Sequence, residues 1–381
     1  MTTSVPLNRP LRSIGRAIAD LRRGLAVALI DGDGSIAIAR AAEDLTDTGL
    51  KEMRDLAKNT DAPHFGFIIS ARRAEVLHIP PKSNAISLRI GQNDTASDLS
   101  ALADPTDDLT HPLRGPFARN EAPKPLLTES AIKLCKLARL LPSAVVVSVD
   151  AEATPAAAEA LLLWMRNNDV LSTQVIEIKD FPEAEANALI EVTSAKVPLE
   201  RAEDTRIVAF RPADGGIEHL AIIVGDPPRN QPVLTRLHSE CFTGDLLGSL
   251  KCDCGDQLRG ALRLMGEAGG GVLCYLAQEG RGIGLINKLR AYDLQDQGFD
   301  TVDANERLGF ESDERIFQPA ARMLHLLGFS QVRLMTNNPD KVAGLAEADI
   351  EVVERVAHHF PPNAHNERYL ATKRRRSGHL L

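Results

Sequence analysis

Three of the chain's five cysteines fall in one short run: Arg236-Leu-His-Ser-Glu-Cys241, then ten residues, then Cys252-Asp-Cys254-Gly. No other stretch constrains the C-terminal half as much, because the fold around it must bring three soft donors to one point. Three thiolates can hold a zinc ion and leave its fourth position open, which is the arrangement of a catalytic rather than a structural site. Water held at such a position ionises near pH ~7 and becomes a nucleophile. The run therefore points to metal-assisted hydrolysis. Two other readings stay open at this point: a structural site closed by His238 as a fourth ligand, or ordinary buried thiols. Cys274, in an apolar strand, and Cys135, on a helix, read as core residues.

A chain of 381 residues divides most simply into two domains, at ~100–200 residues each, and each is long enough to bury a core. The net charge of −8 argues against general nucleic-acid binding and leaves small anionic ligands open. No apolar run is long enough to cross a bilayer, and residues 1–10 lack the apolar core of a signal peptide. The expected location is the cytoplasm, where thiols stay reduced and cysteines serve as ligands rather than disulfides.

Ile14, Ala17, Ile18 and Leu21 share helical spacing. Residues 25–30 read as a buried strand ending at the turn Asp31-Gly-Asp-Gly34. Further strands are expected at 65–68 and 144–149, and helices at 132–141 and 151–168. Residues 91–125, rich in Asp, Thr, Asn and Pro, read as long loops. Polar residues 196–204 precede a hairpin of 206–210 and 219–224, which puts the domain boundary near 200, dividing the chain into 1–200 and 201–381. Beyond it, strands at 233–238, 271–276 and 332–335 alternate with helices at 255–265, 285–294, 320–327 and from Pro339. That is the pattern of an α/β domain, in which ligands gather where strands end and helices begin.

Two such junctions are suited to anions. Gln278-Glu-Gly-Arg281-Gly-Ile-Gly284 follows a strand and opens a helix, so backbone N–H groups could meet a phosphate, with Arg281 pairing it bidentately. Thr336-Asn-Asn-Pro-Asp-Lys341 repeats the theme. Each alone is equally consistent with a tight turn or a capped helix start. Asp313-Glu-Arg315 would ordinarily be a solvated pair, yet facing an activated water its carboxylate could accept a proton. Together these features indicate a phosphorylated substrate that is hydrolysed.

Residues 205–381 closely resemble GTP cyclohydrolase II. The resemblance rests on Arg236-Leu-His-Ser-Glu-Cys241, Ser249-Leu-Lys-Cys252-Asp-Cys254-Gly, Gln278-Glu-Gly-Arg-Gly-Ile-Gly284, Lys288-Leu-Arg-Ala-Tyr292, Asp300-Thr301-Val-Asp-Ala-Asn305, Asp313-Glu-Arg315 and Thr336-Asn-Asn-Pro339. It implies an α/β domain with zinc on Cys241, Cys252 and Cys254. It implies GTP held by Arg236, Leu237, His238, Ser239, Glu240, Gln257, Glu279, Gly280, Arg281, Thr301, Thr336 and Lys341. Asp313 would be the proton acceptor, Tyr292 would lie in the active site, and Arg315 carries the family's role of nucleophile toward the α-phosphorus. A guanidinium of pKa above ~12 is protonated, so steadying charge on departing pyrophosphate suits it better. The family reaction opens the guanine imidazole ring at C8, releases formate and cleaves pyrophosphate, as the first committed step of riboflavin synthesis. Mg²⁺ would accompany the triphosphate, and the family implies a homodimer.

The first half resembles 3,4-dihydroxy-2-butanone 4-phosphate synthase, an α+β fold often fused ahead of the cyclohydrolase. The likeness is carried by residues 17–30 and by Leu127-Thr-Glu-Ser-Ala before the strand at 144–149. The acidic run of that family is here Asp31-Gly-Asp-Gly-Ser35, and its Gly-Gly-His-Thr-Glu metal site is here Pro125-Leu-Leu-Thr128-Glu129. Too few ligands remain for two-metal chemistry, so this domain is expected to be catalytically silent, with a structural or regulatory role. Rival readings for the whole chain are a non-catalytic nucleotide-binding homologue and a cyclohydrolase that serves another pathway. The tail Lys373-Arg-Arg-Arg376 reads as a solvated terminus.

Overall fold

The helical spacing of Leu11, Ile14, Ala17 and Leu21 puts all four on one buried face of the first helix, α1 (Arg9–Leu21). In the computed structural model, which describes residues 9–112, 115–122, 124–361, 366 and 375–376, the chain then builds two sheets. Residues 1–8 of the polar N-terminal stretch, and Lys373 and Arg374 of the basic tail, lie outside the described residues. After α1 come β1 (Val27–Ile30), β2 (Ile36–Ala41), α2 (Asp47–Asn59), β3 (His64–Ser70), α3 (Ala71–Val76) and β4 (Ala85–Arg89). They are followed by α4 (Ala96–Ala103), α5 (Pro125–Leu137), β5 (Ser143–Val149), α6 (Pro155–Asn167), β6 (Ser172–Gln174) and α7 (Val175–Asn187). The first sheet has the order β4-β3-β5-β2-β1-β6. Its pairs are antiparallel except β1 with β6.

Both faces of this sheet are covered, and the two-residue period of the strands decides which side chain goes where. Val145, Val147 and Val149 of β5 pack with α2, α4 and α6, whereas Ala144 and Val146 pack with α1, α5 and α7. The region 91–125 is not wholly loop. It contains α4, whose capping box pairs Thr95 with Asp98.

The second sheet begins with β7 (Leu189–Lys196), which pairs antiparallel with β8 (Thr205–Pro212). Residue 200 thus lies between two paired strands. The chain continues through β9 (His219–Val224), β10 (Val233–Ser239), a wide turn at Phe242–Leu246, α8 (Cys254–Glu267) and β11 (Gly271–Leu276). Then come α9 (Leu285–Asp296), α10 (Thr301–Arg307), α11 (Gln318–Leu326), β12 (Gln331–Met335), α12 (Pro339–Ala346) and β13 (Glu351–Val356). The order is β13-β12-β10-β11-β9-β8-β7. β10 runs parallel to both neighbours, β11 and β12. The chain leaves β10 through α8 to reach one neighbour and reaches the other later, so the carboxyl end of β10 is a switch point where loops diverge and leave a crevice.

The two sheets share packing. Ile283, Ala291 and Leu294 from the α9 region and Ala304, Leu308 and Phe310 around α10 are buried in the same apolar cluster as α2, α4 and α6. Among the described residues, no helix is long and apolar enough to cross a membrane.

Candidate active site

Strand alternation sorts β10. Leu237 faces the core beneath the second sheet and is fully buried there, while Arg236 and His238 face the other way. At the carboxyl ends of β10, β11 and β12 a cavity opens to solvent. Six cations line it, Arg236, Lys251, Arg281, Lys288, Arg315 and Lys341, against two carboxylates, Glu240 and Glu279. In a chain of net charge −8, that excess marks the cavity for an anion. Among the described residues, buried polar atoms on Arg236 (Nε), His238 (Nδ1) and Arg281 (Nη2) have no hydrogen-bond partner, as expected of a site built for a polar ligand.

The cysteines converge on one wall. Their sulfurs lie within 4.8 Å of one another, and Cys241 Sγ is 3.8 Å from Cys252 Sγ. Thiolates ~2.3 Å from one tetrahedral ion stand about 3.8 Å apart, so the donor set fits zinc. The local chain makes this possible. Cys254 opens α8, and Gly244 in the wide turn lets the backbone pass the cluster. A Cβ on Gly244 would lie 2.8 Å from Cys252 Sγ and 3.0 Å from Cys241 Sγ.

Charge at the cluster is uneven. Hydrogen bonds from Cys252 and Cys254, with help from Lys288, pull the Cys241 thiol far below its ordinary pKa, while the same contact pushes Cys252 up to about 11. Lys288 Nζ donates to Cys241 Sγ (3.1 Å), Thr243 Oγ1 (2.9 Å) and Glu279 Oε1 (2.7 Å). Burial works against its charge, but Glu279 and Cys241 outweigh it and raise its pKa. Tyr292 OH lies 3.3 Å from Thr243 Oγ1.

His238 does not belong to the thiol cluster. Its Nε2 is 3.0 Å from both oxygens of Asp245, whose Oδ2 also accepts from Tyr275 OH and from the Cys241 backbone N–H, at 3.0 Å each. The histidine therefore steadies the turn that carries Cys241. Burial lowers its pKa, which favours the neutral ring.

The anion-facing groups come from all three strand ends. Arg236 donates to Met335 O at 2.9 Å and to Gln257 Oε1, and burial lowers its pKa to about 10. Lys341 Nζ reaches back to Leu237 O at 2.7 Å. Arg281, with a left-handed φ of 62°, donates through Nη1 to Ser312 O at 3.1 Å. Arg315 grips Asp313 through Nε to Oδ1 (2.9 Å) and Nη2 to Oδ2 (2.5 Å) and points Nη1 at Ser239 Oγ, 3.4 Å away. Burial would raise the Asp313 pKa, but Arg315 and Arg281 hold it below the usual carboxylate range.

Of the residues singled out in the sequence, Arg236, His238, Ser239, Glu240, Gln257, Glu279, Gly280, Arg281, Tyr292, Thr301, Arg315, Thr336 and Lys341 line the cavity together with the three cysteines. Leu237 contributes its carbonyl to Lys341 rather than a side chain to the cavity. Asp313 stands behind Arg315 rather than on the wall. In the sequence Lys288 stands only as part of a motif and is given no role, although it sits four residues before Tyr292 on one helical face. Asn305, Asn337 and Lys251, likewise quoted only within motifs, line the same space.

In the first unit, the turn Asp31–Gly34 lies at the end of β1. Lys124 Nζ fills the space beside it, 2.7 Å from Asp33 and 3.4 Å from Asp150. Among the described residues, the cysteine trio is the one group of three or more metal-capable side chains within ligand reach.

A model of the GTP cyclohydrolase II family matches residues 190–357. The GTP cyclohydrolase-2 of Azospirillum brasilense is 50% identical over 380 residues, covering 97% of this chain and 94% of that protein. The riboflavin biosynthesis protein RibBA of a Synechocystis strain is 36% identical over 407 residues, covering 97% of this chain and 71% of that protein. A solved two-domain 3,4-dihydroxy-2-butanone 4-phosphate synthase from A. baumannii aligns with 90% of this chain and 99% of its own at 17% identity, with a TM-score of 0.36.

Proposed function

The chain belongs to the GTP cyclohydrolase II family, and from that premise we propose that it hydrolyses GTP in the first step of riboflavin biosynthesis. The guanine imidazole ring is opened at C8 with release of formate, and pyrophosphate is cleaved from the triphosphate. The product is the 5′-phosphate of 2,5-diamino-6-ribosylamino-4(3H)-pyrimidinone. One observation carries this reading: a zinc-shaped trio of thiols forms one wall of a cavity otherwise rich in cations.

Cys241, Cys252 and Cys254 would hold the zinc, which supplies Lewis acidity for hydrolysis at C8. The remaining work falls to the chain's own side chains. Arg281 and Arg315 meet the triphosphate and offset its charge. Arg236, His238, Ser239, Glu240, Gln257, Glu279, Gly280, Thr301, Thr336 and Lys341 complete the GTP contacts, with Leu237 acting through its carbonyl on Lys341. Asp313 accepts a proton, and Tyr292 orders the space beside the cysteines. Arg315, clamped by Asp313, stays protonated and steadies charge on the departing pyrophosphate rather than attacking phosphorus. Mg²⁺ would accompany the triphosphate and offset part of its charge.

We place the division between units ahead of β7 and read the first unit as catalytically silent, supported by the lysine that closes its acidic turn. Conversion of ribulose 5-phosphate by the pure protein would overturn that. The expected setting is cytoplasmic, and the expected assembly is a homodimer. Leu246, Leu247, Leu250, Ile286 and Leu289 are large exposed apolar side chains, and we assign the dimer contact to them. Sedimentation of Leu247→Glu as a dimer would count against this surface.

The deciding assay measures formate and pyrophosphate together from GTP, with zinc-loaded protein and with Cys254→Ser. Turnover that survives loss of zinc would rule the mechanism out. GTP binding without formate release would favour a non-catalytic, regulatory homologue.

A further inference from the structure

The last turn of α5 touches both loops that carry the arginines of the site. The helix ends because Arg139 takes a left-handed φ of 58°, uncommon for a residue with a side chain and kept only where surroundings over-determine it. What surrounds Arg139 belongs to the second unit. Its Nη2 donates to Ala277 O at 2.6 Å, and its own carbonyl accepts from the fully buried Asn287 Nδ2 at 3.0 Å. A Cβ on Gly284 would stand 3.1 Å from Arg139 Cβ. Arg139 thus holds residues 278–284 at both ends. The N–H of Ala277 is fixed as well, by His219 Nδ1 at 3.1 Å.

Lys136, one turn earlier, acts on the second loop. Its Nζ lies 2.6 Å from Glu314 Oε1, and Glu314 sits between Asp313 and Arg315. The Glu314 N–H in turn donates to Arg281 O at 3.0 Å, so the two loops are tied where Lys136 grips them. Arg72 adds a third bridge, to Glu311 at 2.9 Å. Residues that neither line the cavity nor share its sheet therefore fix the backbone beneath Arg281 and Arg315.

We infer that Lys136 and Arg139 are positioning residues of the GTP site, and that the first unit serves the second by bracing loops 278–284 and 311–315 from the end of α5. The inference rests on the GTP reading for its kinetic consequence alone. It also gives a use to a helix whose first turn lacks the histidine of the resembling synthase's metal site: the opposite end of the same helix carries the contact.

The test uses full-length, zinc-loaded protein bearing Lys136→Met, Arg139→Ala, the single exchanges Lys136→Glu and Glu314→Lys, and the double exchange of that pair. Misplacing catalytic groups by about an ångström costs up to roughly 100-fold in rate. We expect kcat for formate and pyrophosphate to fall roughly 10- to 100-fold in each single variant. Zinc content should be unchanged, and the double exchange should recover most of the loss. Amide hydrogen exchange without substrate should quicken at 312–316 in Lys136→Met and at 277–284 in Arg139→Ala. Wild-type kcat and unaltered exchange in both would overturn the inference, as would a double exchange no better than its singles. If the wild-type protein releases no formate, the GTP reading fails, and the hydrogen-exchange arm still decides whether α5 orders the loops.

Discussion

Lys288 Nζ stands 3.1 Å from Cys241 Sγ while its shortest bond, 2.7 Å long, ends on Glu279. One buried ammonium thereby joins the thiol cluster to the glycine-rich loop. Support of this kind from outside the ligand set typically contributes 10–100-fold to metal affinity. Lys288→Met should therefore weaken zinc binding by roughly that factor, read by competition with a chromophoric chelator. Affinity equal to wild type would show that Lys288 serves only the substrate side.

Gly244 offers a steric test of the same wall. Its replacement by alanine brings a methyl within 2.8 Å of Cys252 Sγ and 3.0 Å of Cys254 Cβ. Gly244→Ala should lower bound zinc well below one ion per chain, measured by atomic absorption. Gly248, four residues on, has a left-handed φ of 66° but open space around it. Gly248→Ala should cost about 1–2 kcal/mol of stability and keep its zinc. Equal zinc loss in both variants would mean that backbone strain, not the methyl, disturbs the cluster.

How much of this could be read in advance differs by element. β5 was legible because its apolar run is buried at every position, and β10 because all its residues but Ser239 are buried and its polar positions fall in a recognisable motif. β7 was not: only Leu189 is buried along it, so the pattern that marks a strand is missing at this sheet edge. α4 hid in an Asp- and Thr-rich stretch, although Thr95 and Asp98 at its start were a capping signal. The cysteine trio and the strand-end loops were visible in the motifs. Asp245, which steadies the Cys241 turn through His238 and Tyr275, had no local signal, since its partners come from two other strands. Arg139 was invisible for the same reason, being set against the site only by the packing of one unit on the other.

Three buried histidines predict acid lability. His64, His219 and His358 are each driven down to about 4, chiefly by burial. As pH falls from ~6.5 to 4 the unfolded chain takes up their protons and the native protein does not, so stability falls with pH. Glu185 opposes this. Burial raises it to about 7, so its contribution is greatest below ~4.5 and is lost as pH rises toward 7. The histidines outnumber Glu185, so the net effect is a loss of stability as pH falls below ~6.5. Urea midpoints at pH 7, 6 and 5 should fall in that order, and more steeply in Glu185→Gln. A flat series would contradict the burial argument.

The last prediction concerns Arg315. Its guanidinium is engaged edge-on by both oxygens of Asp313 and turns one nitrogen toward Ser239 on the cavity wall. A side chain in that grip stays cationic, and its value lies in meeting charge that develops on pyrophosphate. Arg315→Lys keeps the charge but not the planar fork, so pyrophosphate release should fall modestly, by about tenfold. Arg315→Met should fall by roughly 10²–10³, the usual cost of removing one such donor. Rapid quench with α-³²P-labelled GTP should trap no phosphoryl-protein in either variant or in the wild type. A labelled adduct in the wild type that disappears in Arg315→Lys would establish the nucleophile role instead, and Asp313 would then have to be the base that frees the guanidinium of its proton.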